Sequence, residues 1–109
     1  MARTGFAFTG AQADADVIAA VAGKTFRILR LYFTTSAAAV VSFSDGADAA
    51  GTRVFHGTIG TAAVGVPVIL TAVGHGSGLY PVATLTKGTA LKVTTSAGNL
   101  AGFVEYTST

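Results

Sequence analysis

Short runs of β-branched and aromatic residues recur along the whole chain, each closed by a break of Gly, Ser, Asp or Ala. Such runs suit strands, and breaks at this spacing suit a sandwich or a barrel. Helix formers other than Ala are few. Strands are expected near Gly5–Thr9, Asp16–Val21, Phe26–Thr34, Val40–Ser44, Arg53–Thr58, Val66–Thr71, Leu79–Thr84, Ala90–Thr95 and Leu100–Tyr106. Ala11–Ala22 also suits one or two helical turns capped by Asp14, but Val17, Ile18 and Val21 are β-branched and favour a strand from Asp16. The expected fold class is all-β: a single jelly-roll-like β-sandwich of about eight or nine short strands. A chain of 109 residues supports one core. Residues 1–10 read as an N-terminal arm or edge strand, and 11–109 as one sandwich domain.

Side chains alternate across a strand, so parity assigns faces. Leu100, Gly102, Val104 and Tyr106 share one face, and Ala101, Phe103 and Glu105 the other. Leu91 and Val93 point inward, with Lys92 and Thr94 outward. Val41 and Phe43 do the same against Ser42 and Ser44. In the longest run Leu29, Leu31 and Phe33 form one clean apolar face, while Phe26, Ile28 and Tyr32 make the other nearly as apolar. A strand covered on both sides has this pattern. One side is then the domain's own core and the other a candidate subunit contact: Phe26, Ile28 and Tyr32, with Arg27 and Arg30 as polar contacts at its edge. Parity sends Arg27 and Arg30 to opposite faces. Ser44-Asp45-Gly46 signals a turn and Ala97-Gly98-Asn99 a hairpin loop between the last two strands. No internal repeat is apparent.

Charged residues make up 11 % of the chain, against roughly a quarter in ordinary soluble domains. A chain whose surface is so poor in charge either aggregates or spends much of that surface in lasting contacts, and the second is expected here. The net charge of +2 comes from Arg3, Lys24, Arg27, Arg30, Arg53, Lys87 and Lys92, scattered rather than clustered with aromatics, which argues against a nucleic-acid footprint. No cysteine is present, so disulfides and thiolate metal sites are excluded. The apolar stretches Val17–Gly23 and Ala62–Leu70 are far short of a membrane span, and Met1 to Gly10 lacks a signal-peptide pattern. A soluble protein with no membrane partner is expected.

Residues that carry chemistry do not converge. His56 and His75 have no ligand-like spacing around them, and no cofactor or metal is implied. Asp45 and Asp48 lack the alternate oxygen ligands and closing Glu of a calcium loop, and read as turn residues. Gly74-His75-Gly76-Ser77-Gly78 lacks the Lys-Ser/Thr ending of a phosphate loop. No Ser-His-Asp order or elbow motif appears, so no enzyme is expected. A glycan-binding module is the main rival reading; without Trp, its one plausible exposed platform is Tyr80 before Pro81.

The chain resembles small virion proteins of tailed bacteriophages, the group of capsid decoration (cement) proteins and short head or tail accessory proteins. The likeness lies in Val21-Ala22-Gly23-Lys24 through Phe26-Arg27-Ile28-Leu29, in Val41-Ser42-Phe43-Ser44, in Gly88-Thr89-Ala90-Leu91-Lys92-Val93 and in Leu100-Ala101-Gly102-Phe103-Val104-Glu105-Tyr106. It implies a jelly-roll-like subunit, often a homotrimer, bound to the major capsid protein or another virion protein and made in the host bacterial cytoplasm. No catalytic residues come with it. The segment Arg53 to Tyr80 matches the pattern least. The function expected is stabilisation of a phage head by oligomeric packing on the shell, with a tail or fibre accessory role as the alternative. The arm Ala2–Phe8, through Arg3, Phe6 and Phe8, is a candidate for adding a strand to a neighbour or to the shell.

Overall fold

A computed structural model describes residues 1–75 and 78–109. Its strands are β1 (Ala2–Phe8), β2 (Gln12–Ile18), β3 (Phe26–Thr35), β4 (Ala39–Asp45), β5 (Arg53–Ile59), β6 (Val68–Thr71), β7 (Val73–His75), β8 (Gly78–Tyr80), β9 (Ala83–Thr84), β10 (Leu91–Thr95) and β11 (Leu100–Ser108). One sheet, A, runs β1-β11-β3-β6, with β9 also paired to β3; the other, B, runs β2-β10-β4-β5. The first and last strands pair in one sheet, and the second and penultimate long strands pair in the other. That is a jelly roll, in agreement with the sequence. β7 and β8 form a small ribbon between β6 and β10. The expected run Leu79–Thr84 is split by Pro81, which has no N–H to carry a ladder through. Ala11–Ala22 supplies a strand and no helix.

The core fills the space between the sheets with Phe33, Phe43, Ile28, Leu31, Leu91, Val93, Leu100 and Val104, all nearly or fully buried. Here β3 departs from simple parity. Glu105 pairs with Arg30 but the next residue, Tyr106, pairs with Ile28, so Leu29 is an extra residue in β3. Such a bulge shifts the alternation by one. Phe26 and Ile28 before it, and Leu31 and Phe33 after it, therefore all face the core. The reading of Phe26 and Ile28 as a subunit contact is thus overturned: they are 3 % and 0 % exposed within one copy. The same shift puts Arg27 and Arg30 on one face, not two.

The N-terminal segment is an edge strand and not a free arm. β1 pairs with β11 from Ala2↔Tyr106 to Phe8↔Leu100. Phe6 and Phe8 pack on the core, and the Phe6 ring meets Phe43 edge-on at 5.9 Å. Those two aromatics cannot reach a neighbour without unpacking their own sandwich, so the docking-arm reading of Phe6 and Phe8 is corrected. Arg3 alone of the three points away from the core.

Two of the corners that join the sheets are built from the same four residues. Thr34-Thr35-Ser36-Ala37 ends β3, and Thr94-Thr95-Ser96-Ala97 ends β10. In each the second Thr is buried and its hydroxyl donates to the Ala carbonyl two residues on, at 2.8 Å and 3.2 Å. The serines then lock the corners together. Ser36 N–H donates to Asn99 O and Asn99 N–H to Ser36 Oγ; Ser96 N–H donates to Val40 O and Val40 N–H to Ser96 Oγ. Hydroxyls satisfy backbone groups where the strands leave their ladders. Ala97-Gly98-Asn99 is consequently a crossing between sheets, not the hairpin its composition suggests. Gly98 has φ +73°, and a Cβ there would press on Ala37. This short local repeat is present in the sequence and was not apparent without its spatial pairing.

Candidate functional site

The outer face of sheet A is built by three ladder rows. Arg3, Glu105, Arg30 and Thr71 lie side by side across β1, β11, β3 and β6; Gly5, Phe103, Tyr32 and Ile69 form the next row; Ala7, Ala101 and Thr34 the third. Core packing on the opposite face fixes which residues come outward, because each strand has only two sides. Tyr32 and Phe103 are direct cross-strand partners, with rings 5.1 Å apart and 8° from parallel. From the β1 side the Arg3 guanidinium lies 3.8 Å above the Phe103 ring. Arg30 lies 5.7 Å from the same ring, and its Nη1 is 3.9 Å from Glu105. The result is a laminated Arg–Phe–Tyr strip, cation–π at one end and offset-stacked at the other. Ile69 extends it as an exposed aliphatic, 49 % accessible.

Of the residues singled out from the sequence, the structure brings Arg3, Arg27, Arg30 and Tyr32 to this face and sends Phe26, Ile28, Phe6 and Phe8 inside. Phe103 is the member that sequence reasoning missed. Parity already placed it outward with Glu105; what was absent was the register that sets it against Tyr32.

Sheet B presents a different outer face. Asp16, Lys92, Ser44 and Arg53 share one row, and Thr94, Ser42 and His56 another. Ion pairs close within it: Lys92 Nζ to Asp16 at 2.7 Å, and Arg53 Nε to Asp48 at 3.0 Å. Asp14, at φ 51° in an irregularity of β2, accepts from Asp48 N–H and from the Thr94 hydroxyl. Ser42 and Ser44 point outward as expected and yet are buried, 3 % and 0 % exposed. Their short side chains sit between longer ladder neighbours. Ser42 Oγ shares a 2.6 Å hydrogen bond with His56 Nδ1, and Ser44 Oγ donates to Gly46 O.

The Ser42–His56 pair resembles part of a nucleophile–base arrangement, but among the described residues no carboxylate is hydrogen-bonded to the ring. It lies on an open sheet face, whereas nucleophilic catalysis needs a third orienting group and a bound substrate. Among the described residues no group of three or more His, Cys, Asp or Glu is placed to hold a metal ion. Tyr80 stands 62 % exposed on the β7–β8 ribbon, cross-strand from the equally exposed Val73. Residues 76 and 77 of the glycine-rich stretch lie outside the described residues. No described helix is long and apolar enough to cross a membrane. No family model, curated protein or solved structure matches the chain.

Proposed function

We propose that this chain is a non-enzymatic structural subunit of the capsid-decoration kind, which works by burying the outer face of sheet A against a neighbour in a virion assembly. The Arg3–Phe103–Tyr32 strip carries this reading. Sandwich sheets that face water usually show a polar outer side. Here the centre of that side holds two aromatics and two arginines, the residue types on which contact energy concentrates. Small residues, Gly5, Ala7 and Ala101, keep the adjoining surface flat and lose little or no side-chain entropy when a partner covers them. The Arg–Glu–Arg row offers a neighbour charges of both signs.

The strip favours a protein contact over a sugar or base platform. Stacking on a ligand needs a free ring face. Phe103 is covered by Arg3 on one side and Tyr32 on the other. The deficit of charge over the whole chain points the same way, and repeated copies on a lattice multiply modest contacts into high avidity.

Light scattering coupled to size exclusion tests this on the wild type and on Phe103→Glu. The expected result is a discrete closed oligomer for the wild type, and a folded monomer for Phe103→Glu with an unchanged far-UV spectrum. A wild type that stays monomeric across the accessible concentration range would overturn the self-packing on which the reading rests. So would an oligomer indifferent to Phe103→Glu.

A further inference from the structure

Away from that face, between the free edge of β1 and the end of β2, the sandwich opens into a groove of about 420 Å³. This size lies within the range of small-molecule sites. Its lining is drawn from both sheets and is mainly apolar. Val17, Ile18 and Phe26 line it, and each is at least nine-tenths buried. Four polar residues join them: Thr4, Lys24, Tyr106 and Ser108. None of these four side chains makes a hydrogen bond or ion pair with another described residue; Thr4 and Tyr106 are half-buried, and Lys24 and Ser108 are exposed. Lys24 is held in place by its backbone, whose N–H donates to Val21 O and whose carbonyl accepts from Gly88 N–H.

We infer that this groove is a binding site for an amphiphile with an apolar body and a single carboxylate head. Burial of the body follows from the lining. The head follows from Lys24: an ammonium offers only donors, and the hydroxyls of Thr4, Tyr106 and Ser108 can donate beside it. A carboxylate is an acceptor for donors of this kind, with a charge-assisted bond to Lys24. A cationic head would sit against Lys24, and a wholly apolar ligand would bury donors without partners. The site is independent of the sheet A face, so either assignment stands or falls alone.

Isothermal titration calorimetry with dodecanoate below its micellar concentration tests the assignment, with dodecyltrimethylammonium as the head-group control. Dodecanoate is expected to bind saturably at one site per chain and to raise the melting temperature. Lys24→Gln should weaken it about tenfold, the loss of one charge-assisted contact. Ala19→Trp, in the loop that lines the groove, should abolish binding while leaving the buried lining untouched. Equal affinity for the cationic control, or binding undiminished in Ala19→Trp, would overturn the site. A short peptide with a free C-terminal leucine serves as a further arm. Tighter binding of that peptide than of dodecanoate would reassign the groove to a chain terminus and overturn the amphiphile. Phosphatidylglycerol vesicles complete the set: partition of the protein onto them without uptake of free dodecanoate would do the same in favour of a membrane surface.

Discussion

The two outer faces of this sandwich belong to antiparallel sheets of five and four strands, and they are finished in opposite ways. Sheet B consumes its polar groups internally. Its serines are buried under neighbours, its aspartates accept from Lys92, Arg53, Thr94 and backbone N–H, and little is left to offer a partner. Sheet A leaves a strip of arginine and aromatic surface that its own sheet cannot cover. Charge follows the division. Arg3, Arg27, Arg30 and Glu105 give the outer face of sheet A two net positive charges. Sheet B and its β4–β5 loop hold four aspartates against Lys92 and Arg53, two net negative. Sparse charge in a sequence thus does not mean evenly sparse charge on a surface. The pairing of strands decides where the few charges meet.

The comparison breaks most severely at the centre of sheet A, where β11 and β3 approach too closely for any side chain at Gly102. A Cβ there would run into the Tyr32 carbonyl oxygen and the Phe33 backbone. Gly102→Ala is expected to cost more than about 3 kcal/mol, since backbone must move. Urea unfolding measures this, and a change under about 1 kcal/mol would show that the two strands are not so tightly paired. Next in size is Phe6→Ala, at about 2–3 kcal/mol for a half-buried ring packed on Phe43. The same unfolding curve checks it; a neutral result would restore the free-arm reading of β1.

Smaller effects sharpen the contrast. Ser36→Ala and Ser96→Ala should each cost about 1 kcal/mol, and their near-equality in chemical denaturation would mark the two corners as equivalent. Strongly unequal losses would mean that one of the two corners is held more firmly than the other. Smallest in the monomer are Tyr32→Ala on sheet A and Ser42→Ala on sheet B, each about 0.5–1 kcal/mol. Their effect on assembly should differ: Tyr32→Ala dissociates the oligomer seen by light scattering, and Ser42→Ala leaves it intact. If both act alike, the two faces are not functionally distinct.

Much of this was legible in the residues. β-Branched and aromatic runs between Gly, Ser and Asp breaks located the long strands to within a few residues, because local preference and turn chemistry are short-range properties. Parity assigned Leu91, Val93, Leu100, Val104, Phe103 and Glu105 correctly, since β10 and β11 alternate without an interruption of their own. It failed in β3. Nothing in Phe26-Arg27-Ile28-Leu29-Arg30-Leu31 marks Leu29 as the extra residue; the bulge exists because Glu105 and Tyr106 of another strand pair around it. The same limit hid the paired corners, whose repeat gains meaning only when Ser36 meets Asn99 and Ser96 meets Val40.

Composition and periodicity by themselves determined that this chain is all-β, that its core is aliphatic and aromatic, and that its surface is poor in charge. Tertiary structure alone decided which residues share a face. It took Phe26 and Ile28 inward, set Phe103 beside Tyr32, and gathered Arg3 and Arg30 around them. The reason is that a strand's own sequence fixes its alternation, whereas its register and bulges are fixed by the strand beside it, which in a jelly roll is usually distant along the chain.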